Sequence, residues 1–486
     1  MPLASPELDP ESFRQAGRAL IDWIADYFGH PEAVSVLPKA GPGELADKLP
    51  KRPPALPSRQ SEILADFERV VFPHLVHWNH PGFMAYFAAG GSAPGVLADA
   101  LAAAVNNVGL LWKSSPALAE LEGRTLEWLS EAAGLPGDWF GMIHDTASTA
   151  TLHAMIAARE RAAVAAADAG SSLDLNRLVT YTSEQAHSSV EKAMAALGHG
   201  RRRCRKIPCD GRYAMRPDSL DRAINSDRNA GLIPIAVTAT IGTTASTAVD
   251  PVPEIANVAD SHGLWLHVDA AYAGASAILP EMRHHFVGCE RADSFVVNPH
   301  KWLFVQMDCS VLYTADPRWL RRAFSLVPEY LTSQEHSRAI NYMECAVPLG
   351  RRFRALKLWY VLRSFGIEGI SSVLREHIRL ARLLAGWIED SKEFELAAPV
   401  EFALVCLRYR PGGCDGVRAD AASRALLEAV NATGKFFLSH AELRGRYAIR
   451  VSIGNIRTGE AHVRRLWELL NSLAGHAATD RLSGRA

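Results

Sequence analysis

The chain contains 486 residues, of which 48% are hydrophobic and 22% are charged. This composition is typical of a globular protein, and the length predicts two or three domains. The 52 basic and 53 acidic side chains nearly cancel, which argues against a nucleic-acid partner because such proteins usually carry a basic excess.

The sequence predicts neither a signal peptide nor a membrane-spanning segment. Residues 1–10 contain neither the basic nor the apolar segment of a signal peptide. The most apolar stretch, residues 96–112, is interrupted by Asp99, Asn106 and Asn107, so it predicts no membrane span. The seven cysteines are odd in number and lack metal or redox spacing, which favours reduced thiols, no metal site and a cytoplasmic location.

The first 91 residues predict helices joined by extended chain. Asp9 and Pro10 form a typical helix start, and apolar residues then recur at helical spacing up to Tyr27. A segment rich in proline and glycine separates this helix from a second one, predicted over residues 61–71. Because such a region builds little core of its own, we expect residues 1–91 to form a helical arm that packs on the partner subunit of a homodimer.

Residues 92–357 predict a large α/β domain. Short apolar runs bounded by turn or cap residues predict strands at residues 177–182, 233–240, 264–269 and 294–298. A helix over residues 251–261, ended by Gly263, falls between two of these strands. Strand, helix and strand in succession indicate a parallel sheet covered on both faces, which binds ligands at the carboxyl ends of its strands.

The last part of the chain predicts a smaller domain. A long helix expected over residues 354–365 leads into it. Residues 358–486 then mix helices with a few strands, such as 402–409 and 447–452. We expect them to form a small C-terminal α+β domain.

Two chemically capable side chains fall at predicted strand ends. Asp269 closes an apolar strand, where a carboxylate needs a partner; a structural salt bridge or a helix cap is the alternative. Lys301 lies between His300 and Trp302 after the next strand, where partial burial would lower its pKa and favour imine formation. The alternative is a surface lysine whose stem packs on Trp302.

A third feature is a helix start rich in small and hydroxyl side chains. Residues 145–151 lead into a helix predicted over residues 152–165, and free N–H groups there would suit a phosphate. A plain helix cap is the alternative. Together, a carboxylate, an imine-forming lysine and a phosphate cradle are what pyridoxal phosphate (PLP) requires.

Seven ordered segments of the sequence resemble the group II PLP-dependent decarboxylases, in particular the aromatic-L-amino-acid decarboxylases. They are HWNHPGFMAYF (77–87), SSPALAELE (114–122), EQAHSSVEKA (184–193), IGTT (241–244), HVDAAYAG (267–274), NPHKW (298–302) and PLGRRFR (348–354). The resemblance implies the α/β fold type I of PLP-dependent transferases, with a mostly parallel seven-stranded central sheet. It also implies decarboxylation of an aromatic L-amino acid (tryptophan, tyrosine, phenylalanine or DOPA) to its amine and CO2.

The resemblance assigns catalytic roles to four residues. Lys301 would hold PLP as a Schiff base, and Asp269 would pair with the pyridine nitrogen. His187 would stack on one ring face and assist proton transfer, while Tyr330 would protonate the carbon that loses CO2. The remaining cofactor contacts would come from Thr146, Ala147, Ser148, Thr244, Ala271, Asn298 and His300.

The resemblance further implies an apolar aryl pocket shared by two subunits. Its residues would be Trp78, Tyr86 and Phe87 of one chain with Val108 and Leu110 of the partner. Gly350 matches the small residue associated with acceptance of indole or of a broad range of aromatic side chains. Leu110 stands where relatives usually carry Phe, which enlarges the pocket and favours tryptophan or broad specificity. Asp145 replaces a usual glycine, and its carboxylate would repel a phosphate unless it caps a neighbouring turn.

Three alternative functions remain open at this point. An aromatic aldehyde synthase uses the same cofactor but lets oxygen intercept the carbanion, an outcome associated with loss of the loop Tyr or the stacking His. Both Tyr330 and His187 are present. A glutamate- or sulfinate-type decarboxylase is disfavoured because HVDAAYAG and QAHSS resemble the aromatic branch. A catalytically silent scaffold is disfavoured by the intact Lys301 and Asp269.

Overall fold

A seven-stranded sheet forms the centre of the computed structural model, which describes residues 7–325 and 339–482. The strands are β1 (Phe140–His144), β2 (Leu178–Ser183), β3 (Cys204–Ile207), β4 (Ile233–Thr240), β5 (Trp265–Asp269), β6 (Ser294–Val297) and β7 (Ser310–Thr314). Their order in the sheet is β1-β7-β6-β5-β4-β2-β3.

The sheet is mostly parallel, which confirms the expected fold class. Neighbours from β3 through β2, β4 and β5 to β6 pair in parallel. Only β7 runs against both of its neighbours, β6 and β1, in this part of the structure. Residues 298–309, which include the short helix Pro299–Trp302, join β6 to β7, and the two strands pair antiparallel.

Helices cover both faces of this sheet. They are α4 (Ala93–Val105), α5 (Pro116–Ala133), α6 (Ala147–Asp168), α7 (Ser189–Ala196), α8 (Pro217–Asn229), α9 (Val252–His262), α10 (Pro299–Trp302) and α11 (Arg318–Phe324). Successive strand residues alternate between two apolar clusters, as the pleat requires. In β6, Phe295 and Val297 belong to one cluster and Val296 to the other, so the sheet separates two layers of core.

The N-terminal region forms the expected helices. They are α1 (Pro10–Gly29), α2 (Glu44–Lys48) and α3 (Gln60–Asp66), the last followed by a π-helical turn over Phe67–Val71. The carboxylate of Asp9 caps α1 by accepting the N–H groups of Glu11 and Ser12, both at 3.0 Å. No side chain of α1 is fully buried within the chain, and Phe13 is 66% exposed.

The C-terminal region contains a four-stranded antiparallel sheet in the order β10-β11-β9-β8. Its elements are α12 (Ala355–Glu389), β8 (Phe394–Leu396), β9 (Leu404–Tyr409), α13 (Gly416–Ala432), β10 (Ser439–Leu443), β11 (Arg446–Ser452) and α14 (Glu460–Leu482). The small α+β unit is therefore as expected. The helix predicted to end at residue 365 bends there, where Gly366 has a φ of +64°, and continues to Glu389. The boundary expected after residue 357 falls inside α12 and stays a prediction, as does the one after residue 91.

Across residues 7–325 and 339–482, no helix combines the length and the apolar character that crossing a membrane demands.

Phe295 offers a test of the core. Its side chain is 1% exposed within the central strand β6, so Phe295→Ala should lower the free energy of unfolding by about 3–5 kcal/mol. The control Val287→Ala, at a side chain that is 57% exposed, should change it by less than about 0.5 kcal/mol. Thermal or urea unfolding of the two variants measures both, and equal losses would contradict this account of the core.

Candidate active site

Lys301 lies just beyond the carboxyl end of β6. Asn298 precedes the short helix α10, Pro299 occupies its first position, and the Lys301 amide donates to the Asn298 carbonyl at 2.9 Å. The neighbouring Trp302 is 1% exposed and stacks on Tyr272, with ring centroids 4.7 Å apart. Trp302 therefore points into the core, and Lys301 is partly buried in a cavity rather than packed on a surface indole.

Asp269 lies at the end of the neighbouring strand. In the parallel pairing of β5 with β6, Asp269 stands opposite Val296. Its side chain is 5% exposed and accepts the amide N–H of Ala271 at 3.0 Å. The carboxyl ends of the two strands thus bring Asp269 and Lys301 to the same cavity.

This cavity has a volume of about 170 Å³ and collects side chains from distant parts of the sequence. Its lining residues are Phe87, Thr146, Ala147, Ser148, His187, Thr240, Gly242, Thr244, Asp269, Ala271, Tyr272, Asn298, His300 and Lys301. Every cofactor-binding residue expected from the sequence is among them. Their individual roles stay predictions.

Burial and two neighbouring charges shift the pKa of the Lys301 amine. Burial lowers the pKa of Lys301 below that of an ordinary lysine. The negative charge of Asp269 acts in the opposite direction, and the positive charge of Arg450 lowers this pKa further. A lysine with a lowered pKa is neutral, and hence nucleophilic, in a larger fraction of molecules.

His187 stands at the exposed side of the cavity, and one hydrogen bond determines the tautomer of its neutral ring. Its Nδ1 accepts the amide N–H of Ser189 at 3.2 Å, which leaves the proton of the neutral ring on Nε2. Surrounding protein atoms lower the pKa of His187, while the charge of Asp269 opposes that shift. The neutral ring can therefore lie against an aromatic cofactor, with its proton on Nε2.

His300 and Asn298 connect the lysine segment to β7. The Nδ1 of His300 accepts the amide N–H of Cys309 at 3.0 Å, and the Asn298 side chain accepts the Ser310 hydroxyl at 2.6 Å. Burial, assisted by the charge of Lys301, lowers the pKa of His300 to about 4. His300 is therefore neutral near neutral pH, and its Nδ1 can accept the hydrogen bond from the Cys309 amide.

The amino end of α6 supplies free amides to the cavity. This helix begins at Ala147, so the start predicted at residue 152 was wrong; the small hydroxyl residues already belong to its first turn. The Asp145 carboxylate accepts the amide N–H of Thr146, the residue before the helix, at 2.8 Å. Within the described chain, the amides of Ala147 and Ser148 donate to no protein acceptor, which suits a phosphate.

An aromatic column borders the lysine. Phe87 stacks on Tyr272 with centroids 3.9 Å apart, and Tyr272 stacks in turn on Trp302. The Lys301 Nζ lies 5.3 Å from the centre of the Phe87 ring. Phe87 was expected in the substrate pocket, whereas Tyr272 and Trp302 were not singled out for this packing.

Arg450 is a residue of the site that sequence reasoning missed. It comes from β11 in the C-terminal region, is 3% exposed, and its guanidinium lies 5.3 Å from the Phe87 ring. It donates to the carbonyls of Thr244 and Ala245 at 2.6 and 3.0 Å, and so holds the IGTT turn. The sequence does contain a signal for this residue, namely an arginine inside the apolar run YAIRVS. Charged side chains are rarely buried unless they have a partner, so such an arginine indicates a specific contact.

The remaining residues expected at the aryl pocket do not line this cavity within the described part of the chain; they are Trp78, Tyr86, Val108, Leu110 and Gly350. Three of them nevertheless lie together. A Cβ atom on Gly350 would lie 3.4 Å from the Val108 side chain and 4.0 Å from that of Leu110. Tyr330 lies outside the described residues.

Comparison with known proteins agrees with this geometry. Residues 42–410 match the family model for the pyridoxal-dependent decarboxylase conserved domain. The chain is 38% identical to tryptophan decarboxylase 2 of Oryza sativa subsp. japonica and 39% identical to phenylacetaldehyde synthase of Arabidopsis thaliana. These alignments cover 96% of the chain in both cases, and 95% and 97% of the respective relatives.

A solved structure extends the similarity to the fold. The crystal structure of Oryza sativa TDC with PLP and tryptamine has a TM-score of 0.94 and 36% sequence identity, covering 98% of this chain and all of that one. The chain therefore belongs to the pyridoxal-dependent decarboxylase family, and its cofactor is pyridoxal phosphate. The cavity fits that cofactor: it combines an amine of lowered pKa, a buried carboxylate, free helix amides and the small Ala271.

Asp269 offers a test of the site's electrostatics. Because its negative charge raises the pKa values of Lys301 and His187, Asp269→Asn should lower both. The pH dependence of amine labelling at Lys301 in cofactor-free protein should move to lower pH by roughly one unit. The exposed Asp138→Asn serves as control; an unchanged or raised pKa of Lys301 in Asp269→Asn would refute the arrangement.

Proposed function

We propose that this protein decarboxylates aromatic L-amino acids to the corresponding arylalkylamines and CO2. The observation that carries the proposal is the cavity shared by Lys301, Asp269 and the amino end of α6. The names of the similar proteins support an aromatic substrate, since they include tryptophan, tyrosine and aromatic-L-amino-acid decarboxylases.

Each end of the cofactor has a matching group in the cavity. The Lys301 amine would hold PLP covalently, and the Asp269 carboxylate would keep a ring nitrogen protonated. The amides of Ala147 and Ser148, with the side chains of Thr146 and Asn298, would bind the phosphate. Ala271 and His187 would lie on opposite faces of the ring, with Thr244 and His300 nearby. When bound, PLP supplies an electron sink for the bond that breaks as CO2 leaves.

A proton must then reach the carbon that carried the carboxylate. His187 is suited to assist, because its Nε2 bears a proton while Nδ1 is engaged by the Ser189 amide. We assign the final donation to Tyr330 on the basis of the sequence resemblance. Exclusion of water and oxygen from the closed site would protect the reacting carbon.

We further propose that the aryl pocket is completed by a second copy of the chain. Trp78, Tyr86 and Phe87 would contribute from one copy, and Val108, Leu110 and Gly350 from the other. The exposed apolar side chains of α1 support a homodimer, because a second subunit would cover them. All seven cysteines, which lie in the described ranges, are free; this supports a cytoplasmic location.

A substrate panel tests the reaction. Release of CO2 should occur with tryptophan, tyrosine, phenylalanine or DOPA, and not with glutamate or cysteine sulfinate, because the proposed pocket is apolar and aromatic. Lys301→Ala should lose both the yellow cofactor band and CO2 release, whereas Lys113→Ala, outside the cavity, should keep both. Release of CO2 from glutamate alone would overturn the proposal.

An aromatic aldehyde synthase is the second candidate, favoured by the 39% identity to a phenylacetaldehyde synthase. In that reaction the amino acid, O2 and water give the aldehyde, CO2, ammonia and hydrogen peroxide. Stoichiometric hydrogen peroxide and ammonia with the aromatic substrates would establish it. Amine production without oxygen consumption would exclude it.

Gly350 tests the pocket itself. Gly350→Ser should reduce kcat/KM for tryptophan by about tenfold relative to phenylalanine, since the larger indole leaves no room for the added atoms. The new Cβ would make only an ordinary contact with Val108, so folding should be unaffected. Gly137→Ser, where the added Cβ meets nothing within 4 Å, is the matched control. An unchanged ratio of the two substrates would remove Gly350 from the pocket.

A further inference from the structure

A buried ion pair joins two of the family-like segments without touching the cofactor cavity. Arg351, from PLGRRFR, and Glu122, from SSPALAELE, have side chains that are 3% and 0% exposed. The Nη2 of Arg351 donates to Glu122 Oε1 at 2.5 Å and to the Ile143 carbonyl at 2.8 Å. The Ile143 amide donates to the same Glu122 oxygen at 2.9 Å, which closes a three-membered network.

One side of this network adjoins the end of the cavity where we place the cofactor phosphate. Ile143 belongs to β1, which leads into Asp145 and the free amides of α6. Glu122 lies on α5, which packs against β1. The pair is therefore held where α5 packs against β1.

The other side is the wall that we place in the aryl pocket, defined here as residues 108–110 with Gly350. Arg351 follows Gly350 directly, and its backbone exchanges two hydrogen bonds with Gly109, at 2.8 and 3.0 Å. Gly109 also sits close to α5, because a Cβ there would lie 2.8 Å from Leu118. One residue, Arg351, thus connects both segments of the wall, through its backbone to Gly109 and through its side chain to Glu122 and Ile143.

A buried ion pair is a weak source of stability, because desolvation offsets most of the attraction between the charges. Apolar side chains of similar volume would fill the same space at least as well. The directional bonds of Arg351 to Glu122 and Ile143, with the Tyr342 ring 4.6 Å from its guanidinium, instead define a position. These bonds favour a role for Arg351 in positioning the neighbouring backbone rather than in stabilising the fold.

We propose that Glu122 and Arg351 are positioning residues that fix the wall formed by residues 108–110 and Gly350, and thereby set the KM for aromatic amino acids. Neither side chain lines the cavity, so they act through the wall. The inference rests on the proposed function and deepens it, because it assigns a substrate-selecting element to residues outside the cofactor site.

The test is the double variant Glu122→Gln/Arg351→Met, which removes both charges together and leaves neither one unpaired. Its KM for tryptophan and phenylalanine should rise about tenfold while kcat stays within about twofold, since loss of positioning weakens binding before chemistry. Amide hydrogen exchange in peptides covering residues 107–112 and 348–354 should become faster. The cofactor absorbance band should be retained.

The matched control is Glu281→Gln/Arg375→Met. It removes an ion pair of the same chemistry, at 2.6 Å, whose side chains are about half exposed. It should change neither KM nor exchange in the wall peptides. If the double variant Glu122→Gln/Arg351→Met keeps the wild-type KM and the wild-type exchange rates, the positioning role is overturned.

A single substitution decides the matter if the double variant does not fold. Arg351→Lys keeps the charge beside Glu122 but gives up the planar geometry that serves Glu122 and Ile143 together. A raised KM with unchanged kcat supports the proposal, and an unchanged KM overturns it. Failure of the proposed function is seen separately, as absence of CO2 release from every aromatic amino acid by the wild-type protein.

Discussion

The parallel pairing of β5 with β6 is the constraint on which the site depends. It aligns Asp269 with Val296, so the strand end that carries the carboxylate and the turn that carries Lys301 emerge at one edge of the sheet. Both strands are buried on both faces, and neither can shift register without moving apolar side chains out of the core. The distance between the acid and the amine is therefore set by the packing of the whole large domain.

Much of this arrangement follows from local sequence. The strand over residues 233–240 is predicted with its observed bounds, and the ends of β5 and β6 are predicted to within one residue. Continuous apolar runs with sharp turn residues make such buried parallel strands easy to locate. The position of Asp269 and Lys301 at strand ends is then a direct consequence.

Other parts of the structure depend on contacts that local patterns do not record. β1 and β7 were not predicted, although they pair with each other and β7 pairs with β6. Their short runs, FGMIH and SVLYT, mix small, polar and apolar residues and acquire strand geometry only through these partners. The first turn of α6 was missed for a related reason, since Ser and Thr are equally suited to a loop and to a helix start.

Arg450 connects the C-terminal sheet to the cavity around Lys301. The amine of Lys301 and the strands around it belong to the first two thirds of the chain, but the cation that further lowers its pKa comes from β11. During synthesis, the lysine segment leaves the ribosome well before that strand exists. The electrostatic environment of the lysine is therefore complete only once the C-terminal sheet has formed and packed against the cavity.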